Sequence, residues 1–361
     1  MSAQPVPKSA PQSAGAAPPL TWPQHARRWV GFLLDPSPAG MRRIALAGVV
    51  ASLAIIPSGA AVRLSQSGLG CTDWPKCTAA SLIASGDTGD PLIHRWVEFG
   101  NRMITTLIFV VAIAVFIAAW RYRPGRDGRA ADDRQRPGRR RDLVWLAAAQ
   151  PAGIVAQAVI GGIVVLTKLS PFWVSLHYLA TLPVLAAAVV LHVRCTEGTG
   201  QATPLVQPLV RLVARGLVAV TSVMMVAGTL VTGTGPLAGA RGVPRYHFLT
   251  LTQVAQLHAD IGWVLGTTAV MLVLSLYLTE APQRVVRLGW IVLALIGLQG
   301  VIGYAQLFAH LPAGLVWVHV TNTALIWIAV IRLNFAIRDR GLTGDDAPAS
   351  ADAALGAPVS H

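Results

Sequence analysis

Charge is scarce in this sequence. Of its 361 residues only 12% are Asp, Glu, Lys or Arg, about half the share found in a soluble globular domain. That excludes a soluble enzyme, and it excludes an intrinsically disordered chain, which needs more charge and less apolar surface. Period-two alternation is also missing from the apolar stretches, so an outer-membrane barrel is excluded. No apolar run stands near the start. The first 40 residues are rich in Ala, Pro and Ser, and the first apolar run comes too late and is too long to be a secretory signal peptide.

What is present is apolar: 53% of the residues are hydrophobic. They gather in eight segments, roughly 44–62, 103–120, 143–166, 173–193, 212–231, 261–278, 288–307 and 315–331. Each is near the ~20 residues a helix needs to cross ~30 Å of hydrocarbon. In lipid every backbone polar group must be satisfied within its own segment, so the segments are read as helices. The expected fold is an all-α membrane protein with eight transmembrane helices. Gly161-Gly162, Pro151 and Pro183 fall inside spans and receive no special role. Residues 1–41 and 336–361 are expected to be disordered cytoplasmic tails.

The formal net charge of +13 would suggest nucleic acid in a soluble protein. Its placement argues otherwise. Nine arginines crowd the loop after the second span, from Arg121 to Arg141, and only Arg63, Lys76, Arg95, Arg102, Lys168, Arg241 and Arg245, of 29 cationic residues, fall on the opposite side. The positive-inside rule then puts both termini in the cytoplasm of a multi-pass plasma-membrane protein. The arginine-rich loop is a topology signal, and nucleic acid is not an expected partner. Membrane lipids are, and a homo-oligomer is left open. Two long loops, 63–101 and 232–256, face outward.

The chain contains a duplication. Gln157-Ala-Val-Ile-Gly-Gly matches Gln299-Gly-Val-Ile-Gly-Tyr, and twenty residues after each Gln stands a histidine, His177 and His319. Leu169 and Leu311 keep the same offset of 142. Helices 3–4 therefore repeat as helices 7–8, and by extension helices 1–2 repeat as helices 5–6. Four helices per unit insert both copies the same way up, so the halves should be related by a pseudo-two-fold axis along the membrane normal. The domains follow: a four-helix bundle over 42–194, a cytoplasmic linker over 195–211 and a second four-helix bundle over 212–335.

Aligning the starts of helices 2 and 6 sets Asn101 against His258. The four even-numbered helices then carry Asn101, His177, His258 and His319 at their outer ends. Ionisable groups at membrane depth are rare and usually functional. Zinc would gather three or four ligands around one point. Here the duplication supplies ligands in pairs, and paired imidazoles from facing helices suit haem iron. The second half has a full pair, His258 and His319. The first has His177 opposite Asn101, and an amide is a poor iron ligand. That asymmetry suggests a redox cofactor in one half and a bound substrate in the other.

Glu98 stands three residues before Asn101 and shares its helix face. It is either an interfacial charge paired with Arg95 or Arg102, or a carboxylate beside substrate acting as base or charge stabiliser. Arg63, Arg102, Arg241 and Arg245 are either interface anchors or partners for haem propionates. His94, one turn before Glu98, is kept as a further site residue. Asp260 follows His258 by two residues, on another face. Cys71 and Cys77 lie six apart in the outer loop, where a disulfide is favoured. Cys195 should be a free thiol.

These residues carry a resemblance. Arg63-Leu64-Ser65-Gln66-Ser67-Gly68-Leu69-Gly70-Cys71, followed by Asp73-Trp74-Pro75 and Cys77, is similar to the first-loop signature of the haem A synthase family. The eight helices, the duplication and the histidines match as well, over roughly residues 42–335. The family oxidises a methyl group of haem O to a formyl group through hydroxylated intermediates. The resemblance implies that His258 and His319 bind a b-type haem, that His177 serves the substrate site together with Asn101, Arg63 and Arg102, that Glu98 is catalytic, and that Cys71 and Cys77 are the family's cysteine pair. It also implies haem O synthase as a partner. The departure is Asn101, where the pattern Glu-x-x-His-Arg places histidine; a single axial ligand there would leave an open iron position. The rival readings are a membrane b-type haem electron-transfer protein without substrate chemistry, and a transporter.

Overall fold

The computed structural model describes residues 31–84, 91–123 and 138–341. Most of both expected tails and the centre of the arginine-rich loop lie outside the described residues. Eight long helices fill the chain: α1 (Pro38–Leu64), α2 (Leu92–Arg121), α3 (Arg141–Leu166), α4 (Pro171–Arg194), α5 (Pro208–Thr234), α6 (Leu251–Leu278), α7 (Gln283–Phe308) and α8 (Ala313–Ala336). All eight are long and apolar enough to cross a membrane. The fold is thus the expected all-helical, multi-pass one. Exposed Val50, Val110, Trp145, Trp263, Leu278 and Val301 spread along the helix exteriors, where lipid replaces the water that a soluble protein would meet.

Helix starts follow local chemistry. Ser37 caps α1 by accepting from the Gly40 amide, with proline in the first turn, where a missing N–H costs nothing. This start lies inside the stretch expected to be a tail. Thr250 and Gln253 form a reciprocal capping box at α6, satisfying two otherwise orphaned donors. α2 begins at Leu92, well ahead of the apolar run that starts near 103. Its first turns carry His94, Arg95, Glu98 and Arg102, and tertiary contacts rather than lipid satisfy these. Asn101 and the three histidines accordingly sit within their helices rather than at the tips. Two short strands, β1 (Thr203–Pro204) and β2 (Arg338–Asp339), pair antiparallel. They tie the segment between α4 and α5, expected to run over 195–211 but ending where α5 starts at Pro208, to the chain just after α8.

Each half is solid at one end and hollow at the other. In the first half Met41, Ala45, Val115, Ala118, Leu143 and Leu191 form one core at the arginine-rich end. In the second, Leu217, Leu272, Leu276, Val285, Val330 and Leu333 form its counterpart. A third cluster joins the halves through Ile56 of α1, Leu185 and Val189 of α4, Met225 of α5 and Trp327 of α8. Trp327 Nε1 donates to the Leu182 carbonyl at 3.0 Å and Trp317 Nε1 to the Pro57 carbonyl at 2.8 Å, so hydrogen bonds also cross the seam. This arrangement is compatible with the pseudo-two-fold relation.

At the arginine-rich end Asp142 accepts from Arg140 at 2.8 Å and from Arg194 at 2.7 Å. Arg194 also pairs with Glu197. The network fastens the start of α3 to the end of α4.

Candidate functional site

Opposite the two solid ends lies one cavity of about 1790 Å³, lined by both halves and by His177, His258, His319, Asn101, Glu98 and Trp74 among others. A single small-ligand site occupies about 300–1,000 Å³, so this space exceeds one such ligand.

Two of the three imidazoles, those of His177 and His319, have backbones held alike. Gln157 Nε2 donates to the His177 carbonyl at 3.0 Å and to Thr181 Oγ1 at 2.8 Å. Gln299 Nε2 donates to the His319 carbonyl at 3.1 Å and to Thr323 Oγ1 at 2.9 Å. The glutamines that revealed the duplication therefore bind the backbone of the histidine-bearing helices. In the second half Asn322 Nδ2 adds a bond to Gln299 Oε1 at 2.8 Å. The first half has Ala180 at that register, and Gln157 Oε1 is left without a partner.

Behind each imidazole lies a glycine of the neighbouring helix. A Cβ at Gly161 would stand 3.2 Å from His177 Cε1, one at Gly228 3.3 Å from His258 Cε1, and one at Gly303 3.4 Å from His319 Cε1. At Gly161 and Gly228 a Cβ would press on the ring by a few tenths of an ångström, and at Gly303 it would just touch it. Gly162 serves a second close approach: a Cβ there would be 2.5 Å from the Trp74 ring, so its absence lets Trp74 lie across α3. Along the sequence Gly161-Gly162 carries no special role, and Trp74 enters only as part of the loop signature Asp73-Trp74-Pro75. The fixed spacing of Gly161 and Gly303 within the repeat was the available signal.

His258 and His319 face each other with ring centres 6.3 Å apart. Two metal–nitrogen bonds of about 2 Å, plus about 1 Å from nitrogen to ring centre on each side, span about 6 Å. The pair therefore fits one iron held between two imidazoles. No hydrogen bond to protein engages these rings among the described residues, and Nδ1 of His177, His258 and His319 is buried without a partner. An unpaired buried polar atom is costly, which fits rings reserved for a ligand. Among the described residues no group of three or more His, Cys, Asp and Glu gathers. A zinc cluster would need such a group.

Glu98 is buried, and both its oxygens are engaged. The Cys71 amide donates to Oε2 at 2.7 Å, and Arg102 Nη2 donates to Oε1 at 2.8 Å. Arg102 Nη1 also donates to the Lys76 carbonyl at 3.0 Å, and its Nη2 to that of Asp73 at 3.2 Å. Glu98 thus pairs with Arg102 and also lines the cavity. Cys71 and Cys77 are disulfide-bonded, closing the loop that clasps it. Arg63 and Arg102 both line the cavity, and Arg63 Nη1 reaches across the seam to the Leu237 carbonyl at 2.9 Å.

The other polar candidates lie outside this set. His94 shares a 2.9 Å hydrogen bond between its Nδ1 and Ser67 Oγ and does not line the cavity. Asp260 accepts from Gln256 at 2.7 Å, away from His258. Arg241 is exposed, and Arg245 donates to the Pro236 carbonyl at 3.1 Å. Cys195 is free and buried.

Comparison with known proteins adds an independent line. A family model described as cytochrome oxidase assembly protein (COX15-CtaA) matches residues 42–331. A heme A synthase of Lysinibacillus sphaericus is 30% identical over 152 residues, 42% of this chain and 43% of that protein. One of Oceanobacillus iheyensis is 30% identical over 66 residues, 18% and 20% of the two chains. A protoheme IX farnesyltransferase of Chloroflexus aurantiacus is 35% identical over 81 residues, 22% of this chain and 13% of that protein. The matched stretches thus span less than half the length of these relatives.

Proposed function

The chain belongs to the COX15-CtaA family of cytochrome oxidase assembly proteins, the haem A synthase family, and on that premise we propose that it oxidises a methyl group of haem O to a formyl group through hydroxylated intermediates. The observation that carries this reading is the facing pair His258 and His319, 6.3 Å between ring centres, in the same cavity as His177 and Glu98.

The residues divide by half. His258 and His319 would hold a resident b-type haem, which supplies one-electron redox chemistry when bound. His177 would bind the substrate haem in the first half, and Arg63 and Arg102 would meet its propionates. Glu98, held by Cys71 and Arg102, would stabilise positive charge that develops near the reacting methyl or accept its proton. The apolar helix walls exclude water and admit a lipid-soluble substrate from the bilayer. Both termini would be cytoplasmic in a plasma-membrane protein, as the arginine distribution argues. The stretch similar to a protoheme IX farnesyltransferase supports haem O synthase as the partner that hands over substrate.

Glu98→Ala tests the assignment. Haems are extracted and chromatographed from membranes that hold the variant and a haem O source. The expected result is loss of haem A with an intact b-haem spectrum. Normal haem A formation would remove Glu98 from the chemistry. A wild-type extract with two retained haems and no haem A would favour simple electron transfer.

A further inference from the structure

Three of the four equivalent positions in the duplicated fold hold an imidazole against a glycine; the fourth does not. Gly59-Ala60-Ala61-Val62 of α1 matches Gly228-Thr229-Leu230-Val231 of α5. By that match Gly59 corresponds to Gly228, as Asn101 corresponds to His258. A Cβ at Gly228 would meet His258 Cε1 at 3.3 Å, whereas a Cβ at Gly59 would meet nothing within 4 Å. Gly59 and Asn101 both line the cavity. The glycine is present, and the ring that would fill the space in front of it is absent. Asn101 Oδ1 is buried without a hydrogen-bond partner, which is costly unless something binds it.

Among the described residues the cavity is lined by no histidine other than His177, His258 and His319. His94 is held by Ser67 and lies outside the cavity lining. Met103 also lines the cavity, but it is about half exposed at 48% and lies two residues beyond Asn101, about 200° round the helix. A carboxamide is a weak iron ligand but a strong hydrogen-bonding group, both donor and acceptor.

We infer that the first-half site is asymmetric by construction: His177 holds one face of the bound macrocycle, and the space between Asn101 and Gly59 receives a small neutral ligand, of water or diatomic size, hydrogen-bonded by the Asn101 carboxamide. The inference rests on the proposed haem O site and adds a second, small-molecule position to it. The second half, with both imidazoles in place, has no such position.

Carbon monoxide is the probe. The full-length protein is loaded with haem O under argon, and both spin state and the carbon monoxide difference spectrum are recorded. The expected result is one low-spin haem inert to carbon monoxide beside one high-spin haem that binds it. Asn101→His should convert the second haem to low spin and weaken carbon monoxide binding at least about tenfold. Asn101→Ala, which adds no ring, should keep the binding but shift the carbon monoxide stretching frequency. A low-spin, carbon-monoxide-inert haem O in the wild type overturns the inference while leaving the proposed function standing. An unshifted stretch in Asn101→Ala overturns the role of the carboxamide. If only the resident haem is ever found, the haem O site and this inference fall together.

Discussion

The main-chain amide of Cys71 donates to Glu98 Oε2 at 2.7 Å. A disulfide loop and a buried carboxylate on a helix 27 residues away are therefore one mechanical unit. Arg102 closes it by bonding Glu98 and two loop carbonyls at once. A charge-assisted bond to a backbone amide holds a carboxylate more firmly than a neutral one would.

Opening that loop should misplace the carboxylate. In a Cys71→Ser, Cys77→Ser variant, haem A recovered from membranes should fall about tenfold or more, since small displacements of a reacting group weigh heavily on rate. The reduced-minus-oxidised b-haem spectrum should stay, because His258 and His319 do not depend on the loop. Equal loss of both signals would show that the loop supports the whole fold instead.

A Cβ at Gly228 would crowd His258 Cε1 at 3.3 Å, whereas one at Gly216 on the same helix meets nothing within 4 Å. Gly228→Val should push the His258 ring aside and abolish the bound b-haem absorbance of the purified protein. Gly216→Val should retain it. Loss in both would make the effect one of helix insertion rather than of the imidazole.

The two repeat glutamines should differ in weight. Gln299 makes three hydrogen bonds, to the His319 carbonyl, Thr323 and Asn322. Gln157 makes two, and its Oε1 is unpaired. Gln299→Leu leaves Asn322 without that acceptor and should destabilise the protein by about 1–3 kcal/mol, with Gln157→Leu costing less. Thermal unfolding in detergent measures both, and the reverse order would contradict the hydrogen-bond pattern.

Burial pushes the Cys195 thiol up to about 12, although Arg140 beside it pulls the other way. Thiolate is the reactive form, and with the pKa raised it is nearly absent until the solution becomes strongly alkaline. Iodoacetamide at pH 8 should leave Cys195 unlabelled in the folded protein and label it after denaturation in detergent. Mass spectrometry of the peptide reads the result, and rapid labelling of folded protein would show that the C-terminal end of α4 opens.

Much of this molecule was legible in the residues alone. A bilayer tolerates few charges and demands internally satisfied backbone, so low charge and eight apolar runs led directly to eight helices. The invariant offset between Gln157–His177 and Gln299–His319 led to the duplication and to the paired imidazoles. The apolar run near 103 begins about three turns inside α2, which starts at Leu92, because hydropathy cannot see polar turns whose partners come from a distant loop.

Residue order determined the eight apolar runs and the repeated Gln–His spacing, and it singled out the side chains proposed to serve iron. Only tertiary structure decided that Gly161, Gly228 and Gly303 stand behind the imidazoles, that Trp74 rests on Gly162, and that Cys71 meets Glu98. The reason is geometric. Periodicity along one helix reports which residues share its face, but the rotation of that face against another helix is set by packing. The contacts that shape this cavity are all made between elements distant in the chain.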